Sequence, residues 1–185
     1  MNPTLEADYT RRCAGYEHMD IHEHLSTLSG FASHCETIVE FGTRTGNSTC
    51  ALLHGLESNG KGAGVLYSYD INPTTYKPPL DMKTGWLFTV ADTRKLDDIP
   101  ACDLLFVDTL HTADQVRAEL KHAGKVKWWI ILHDTVTFGD NGEMGQTGIT
   151  RAIYEFLRDN PNWKVAGHWD NNNGLLALSR TYGND

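Results

Sequence analysis

Five apolar runs that each stop at a glycine or an aspartate constrain this chain more than any other feature. They are IVEFG ending at Gly42, GVLYSYD at Asp70, WLFTVAD at Asp92, CDLLFVD at Asp108 and KWWIILHD at Asp134. Short, continuously apolar runs read as strands buried on both faces. Helical patterns alternate with them. Ala51, Leu52, Leu53 and Leu56 form one stripe, a second helix starts near Thr112 or Ala113, and Ile149, Ile153, Phe156 and Leu157 form another. WKVAGHWD and GLLALSR add two strands joined by the polar turn Asn171–Asn173. Strands separated by helices predict an α/β fold with a mostly parallel sheet covered on both faces. In such a sheet ligands sit beyond the carboxyl ends of the strands, so the residues that end these runs are where a site belongs.

The 185 residues show no repeat or linker and suit one domain. Residues 1–36 are polar and helix-leaning, a segment expected to pack on the body formed by residues 37–185. Asp20 is the expected N-cap of a helix over IHEHLSTLSGFASHC, with Leu25, Leu28 and Phe31 on one stripe. His22 and His24 read as surface residues. Asn47 or Ser48 is the expected cap of the helix that ends at the SNGKGAG turn. A net charge of -8 gives little attraction for a phosphate backbone, so nucleic acid is an unexpected partner. The four cysteines lack CxxC spacing, and no run reaches the roughly 20 apolar residues of a membrane span. The expected location is the cytoplasm.

The turn EFGTRTGNST decides the ligand class. It lacks the GxxxxGK[ST] spacing and lysine of a phosphate-binding loop, and Thr43 and Arg44 stand where a dinucleotide fingerprint needs its second glycine. Glu40 would repel a pyrophosphate. An acidic residue before the turn suits a cation, and helix-start N–H groups suit a carboxylate. Asp70 at the next strand end suits a ribose diol. An amino acid joined to a nucleoside is S-adenosylmethionine. The alternative is a strand–turn–helix junction whose glycines serve geometry alone.

In order, VEFGTRTGNST, YDINP, VADT, FVDTLH and LHDT resemble the motif series of class I S-adenosylmethionine-dependent methyltransferases over about residues 20 to 180. The set is most similar to small metal-assisted O-methyltransferases of the catechol O-methyltransferase kind and their antibiotic-tailoring relatives. The EHLSTL and NNNGL segments also resemble a group of short methyltransferases. The resemblance implies a Rossmann-like three-layer α/β/α sandwich, whose seven-stranded sheet is mostly parallel with the last strand antiparallel. It implies that Glu40, Gly42, Thr43 and Arg44 surround the methionine part of the cofactor, and that Ser48 holds its carboxylate. Asp70 would hold the ribose, Ala91, Asp92 and Thr93 would meet the adenine, and Asp108 would stand next to the cofactor.

Asp108 and Asp134 end neighbouring strands, and two such carboxylates repel unless a cation or protons intervene. Magnesium or another divalent cation could sit there and lower the pKa of a hydroxyl about to be methylated. The resemblance implies a third ligand where Thr135 stands, a weak donor. His133 beside it would favour manganese, iron or zinc. His111 occupies the place of the lysine base in catechol-type enzymes, and with His133 it is a candidate catalytic group. The glycine-rich loop 136–148 is a candidate lid. The expected acceptor is a hydroxyl on a small molecule or sugar, and a homo-oligomer is compatible with the sequence. The rivals are a metal-independent N- or O-methyltransferase, a cofactor-binding protein without turnover, and a nicotinamide oxidoreductase.

Overall fold

A computed structural model describes residues 1–15, 20–60 and 63–182. Lys61 and Gly62 of the SNGKGAG turn therefore lie outside the described residues. The elements run α1 (Pro3–Cys13), α2 (Leu25–Ala32), β1 (Thr37–Phe41), α3 (Asn47–Ser58), β2 (Val65–Asp70), β3 (Gly85–Val90), β4 (Cys102–Val107), α4 (Ala113–Leu120), β5 (Val126–His133), α5 (Ile149–Asp159), β6 (Trp163–Trp169) and β7 (Leu175–Arg180). The seven strands form one sheet in the order β3-β2-β1-β4-β5-β7-β6. The pairs among β1 to β5 are parallel, whereas β7 runs antiparallel to both β5 and β6. This is the expected three-layer α/β sandwich with its antiparallel last strand.

Alternation along the strands builds the two cores. Ile38, Leu104, Phe106 and Ile131 face the layer of α1, α2 and α3, where they meet Leu5, Leu25, Leu28, Leu52 and Leu56. Their neighbours Val39, Leu105, Val107, Ile130 and Leu132 face α4 and α5, meeting Val116, Leu120, Ile149 and Ile153. A strand whose successive side chains are all buried must be largely apolar, which explains the nearly continuous runs.

Three local expectations change. The helix expected over IHEHLSTLSGFASHC begins at Leu25 after a single 3-10 turn over His22–His24, with no side-chain cap. Asp20 instead accepts from the Arg44 guanidinium at 3.0 Å. Helix α3 is entered through Gly46, in the left-handed region at φ 79°, so neither Asn47 nor Ser48 caps it. A side chain at Gly46 would strike the Tyr76 ring, its Cβ falling 2.2 Å from Cγ. Finally, no α-helix joins β2 to β3 or β3 to β4. The former link carries Pro73, Pro78 and Pro79, which break helical hydrogen bonding, and Leu87 and Val90 of β3 remain exposed.

Candidate functional site

The ends of the parallel strands open onto a cavity of about 390 Å³. Gly42, Thr43, Arg44, Ser48, Asp70, Ala91, Asp92, Thr93, Asp108, His111 and Asp134 all line it. Register explains the convergence. Phe41 pairs with both Tyr69 and Val107, so Gly42 turns away between Asp70 and Asp108. Gly42 has φ 90°, and a Cβ there would lie 1.8 Å from the Asp108 carbonyl oxygen. Only glycine lets the first turn pass that close to β4.

Asp70 holds the turn's shape. Its Oδ2 accepts from the Thr43 and Arg44 N–H groups at 2.9 and 2.8 Å, and its Oδ1 accepts from Asn72 N–H. The Thr43 hydroxyl is buried with no hydrogen-bond partner, an orphaned group at the cavity wall. Arg12 of α1 braces the same turn from behind, donating to the Thr45 carbonyl and the Asn47 side chain.

Glu40 is not in the cavity wall. Its fully buried carboxylate faces α3 and accepts from Ser48 Oγ, Thr49 Oγ1 and Ser68 Oγ at 2.7, 2.8 and 2.6 Å. The Ser48 hydroxyl is thereby committed to Glu40. Burial pushes the Glu40 carboxyl up to about 7, despite those three donors. Between pH 4.5 and 7 the folded chain holds this proton while the unfolded chain releases it, so stability falls as pH rises through that window. The drop expected from Glu40 is on the order of 3 kcal/mol. Urea unfolding across this range checks it: Glu40→Gln should lose that share of the slope, and an unchanged slope would contradict the burial argument.

A second buried carboxylate, Glu119, escaped the sequence reading. It accepts from Thr93 Oγ1, Thr109 Oγ1 and Gln115 Nε2 at 2.6 to 2.8 Å, and burial pushes it up to about 7. It ties the loop after β3 to the loop after β4. The signal available was Gln115 and Glu119 at i and i+4 on one helix face. Asp92, in the cavity wall, caps its own turn at Arg94 N–H and pairs with that guanidinium at 2.8 Å.

At the other end of the cavity, His111 Nε2 lies 2.8 Å from Asp134 Oδ2 and 3.2 Å from Asp108 Oδ1. Its Nδ1 contacts Glu143 of the 136–148 loop at 2.6 Å, and its ring stacks on Phe138. Burial lowers the His111 pKa, but hydrogen bonds to Asp108 and Asp134 outweigh it and hold the imidazole up at about 10. Burial likewise raises Asp108, and the two imidazoles reverse that to a net depression. His133 is buried, with Nδ1 facing the same two carboxylates. One donor atom each from Asp108, His133 and Asp134 lies within 4.8 Å of the others, spacing that fits a divalent cation. The Thr135 hydroxyl lies on the side of Gly174 and is buried without a hydrogen-bond partner. His24 is buried rather than on the surface, its Nε2 bonded to the Asn171 carbonyl at 2.9 Å. Loop 136–148 is pinned by backbone bonds from Val136 to Asn173, Glu143 to His111 and Ala113 to Thr147.

A family pattern described as a methyltransferase domain matches residues 39–135, just over half of the chain. No curated protein matches by sequence. Among solved structures, an O-methyltransferase from Bacillus cereus in complex with SAH is similar with a TM-score of 0.64 at 15% identity, covering 98% of this chain and 92% of that one. The SAH-bound methyltransferase PaMTH1 of Podospora anserina gives 0.61 at 15%, covering 98% and 89%. The MycE methyltransferase of the mycinamycin biosynthetic pathway, in complex with Mg, SAH and mycinamycin VI, gives 0.60 at 14%, covering 98% of this chain and 55% of that one. Among the described residues no helix is long and apolar enough to cross a membrane.

Proposed function

The chain belongs to the methyltransferase domain family, and from that premise we propose that it transfers a methyl group from S-adenosylmethionine to a hydroxyl oxygen of a small molecule or sugar. The observation that carries this reading is one cavity lined by Gly42, Asp70, Asp92, Asp108 and Asp134, the ends of five successive strands. We read residues 37–185 as the catalytic body and residues 1–36 as a segment packed on it, the two acting as one unit.

The methionine part would lie against Gly42, Thr43 and Arg44, with the unpartnered Thr43 hydroxyl as a polar contact. Because Ser48 is spent on Glu40, the carboxylate falls to the uncapped N–H groups that start α3. Asp70 would turn from the backbone of its own turn to the ribose hydroxyls, while Ala91 and Thr93 border the adenine. Glu40 shapes the turn from beneath, as a positioning residue.

S-Adenosylmethionine supplies a methyl on a sulfonium, which the acceptor oxygen takes in line as the C–S bond breaks and its electron pair returns to sulfur. His111 is the proposed base, receiving the acceptor's proton at Nε2 while Glu143 holds Nδ1. A base must be neutral, and Asp108 and Asp134 hold this imidazole protonated. A divalent cation held by those carboxylates would relieve that pull and acidify the acceptor hydroxyl. The metal-independent rival has one observation in its favour: the imidazoles of His111 and His133 already balance the two carboxylates.

Calorimetric titration with S-adenosylhomocysteine tests the reading. Saturable binding is expected, weakened by Asp70→Ala on the order of ten- to a hundredfold, as for lost charge-assisted hydrogen bonds. Absence of binding to folded protein would sink it.

A further inference from the structure

Consecutive residues of a strand point to opposite faces, yet His133 and Asp134 both face Asp108. The cause is local. Asp134 sits in the left-handed region at φ 59°, which swings its side chain round to the side of its neighbour. A non-glycine residue held there costs on the order of 1–3 kcal/mol, strain that persists where the surroundings demand it. His133 Nδ1 then lies 3.2 Å from Asp134 Oδ2 and 3.6 Å from Asp108 Oδ1. Neither His133 Nδ1 nor Asp134 Oδ1 has a hydrogen bond, although both are buried. On the far side of the ring, Nε2 donates to the Asn172 carbonyl at 3.1 Å.

That carbonyl is held in turn. Asn171 to Gly174 form a tight turn closed by Gly174 N–H to Asn171 O, with Asn172 and Asn173 at φ 46° and 72°. Val136 and Thr137 N–H both donate to Asn173 O, which fastens the turn to the chain just past Asp134. A histidine with one nitrogen fixed by a backbone carbonyl and the other facing two carboxylates without a hydrogen bond to either has the arrangement of a metal ligand with its outer support.

We infer that His133 Nδ1, Asp108 and Asp134 form a one-imidazole, two-carboxylate site that takes a borderline first-row cation (manganese, iron, cobalt or zinc) in preference to magnesium. This rests on the reading of the carboxylates as a cation site and goes further, in naming the third ligand and the ion class. Magnesium prefers an octahedron of oxygens and keeps its waters, whereas imidazole nitrogen suits the transition ions. His111 stays outside this set as the base. Thr135, beside Asp134, is not needed.

Cobalt(II) is the probe. Titrated into the metal-free protein, it should bind at one site and give a single solvent-exchangeable, hyperfine-shifted imidazole proton by NMR. That proton is the Nε2–H held by Asn172. It should disappear in His133→Asn and remain in His111→Asn. Zinc should displace cobalt near equivalence, manganese at a moderate excess, and magnesium only at an excess on the order of a hundredfold beyond that of manganese. Competition by magnesium as strong as that by manganese overturns the inference, as does an unshifted spectrum. The competition uses the unaltered protein, so it stands even if His133→Asn does not fold. A parallel titration with S-adenosylhomocysteine separates the two failures. Cofactor binding with magnesium-like ion selectivity would leave the methyltransferase reading intact and remove only this one.

Discussion

Replacing Asp134 with asparagine is expected to lower turnover by roughly a hundredfold or more while leaving S-adenosylhomocysteine affinity within about threefold. Asparagine tolerates the left-handed backbone that Asp134 adopts at φ 59°, so the substitution removes charge without adding strain. What it removes is the carboxylate closest to His111 Nε2 and one of the three converging donors. The cofactor side of the cavity, around Gly42 and Asp70, is left as it was. Steady-state kinetics beside calorimetry reads the two effects separately. Asp108→Asn should act in the same direction, and a chelator should mimic both, with activity restored by added divalent ion. Turnover that is indifferent to both substitutions and to the chelator would hand the case to the metal-independent reading.

The largest effect on stability is expected from Gly42→Ala, on the order of 3 kcal/mol or more by urea unfolding. Two costs add. The first is the backbone at φ 90°, where an L side chain is strained by about 1–3 kcal/mol. The second is collision of the new Cβ with the Asp108 carbonyl oxygen at 1.8 Å, a backbone atom just past the end of the central strand β4 with little room to yield. Gly60→Ala isolates the first cost, since Gly60 has φ 68° and nothing within 4 Å of the added carbon. It should lose about 1 kcal/mol. Equal losses for the two variants would mean that the first turn does not press on β4 as described.

The failures of the sequence reading share a cause. Asp20 is a good helix-capping residue by type, but its partner is Arg44 across the cavity mouth. Ser48 is equally suitable at a helix start, but Glu40 lies beneath it and takes its hydroxyl. Glu143 carries no motif, and Asn172, although part of NNNGL, gives no sign in the sequence of which side chain its carbonyl meets. They reach His111 and His133 because a loop and a hairpin turn from distant parts of the chain close over the ends of β4 and β5.

The sequence by itself determined the strands, their alternation with helices and the chemistry at each strand end. A buried parallel strand is apolar at nearly every position, and the residue that leaves it must turn or bind, so both leave a mark readable without neighbours. Only the tertiary structure decided which donors converge. Whether His133 joins Asp108 and Asp134 depends on strand register and one left-handed residue at Asp134. Those are set by packing across the sheet, which no local run of residues records.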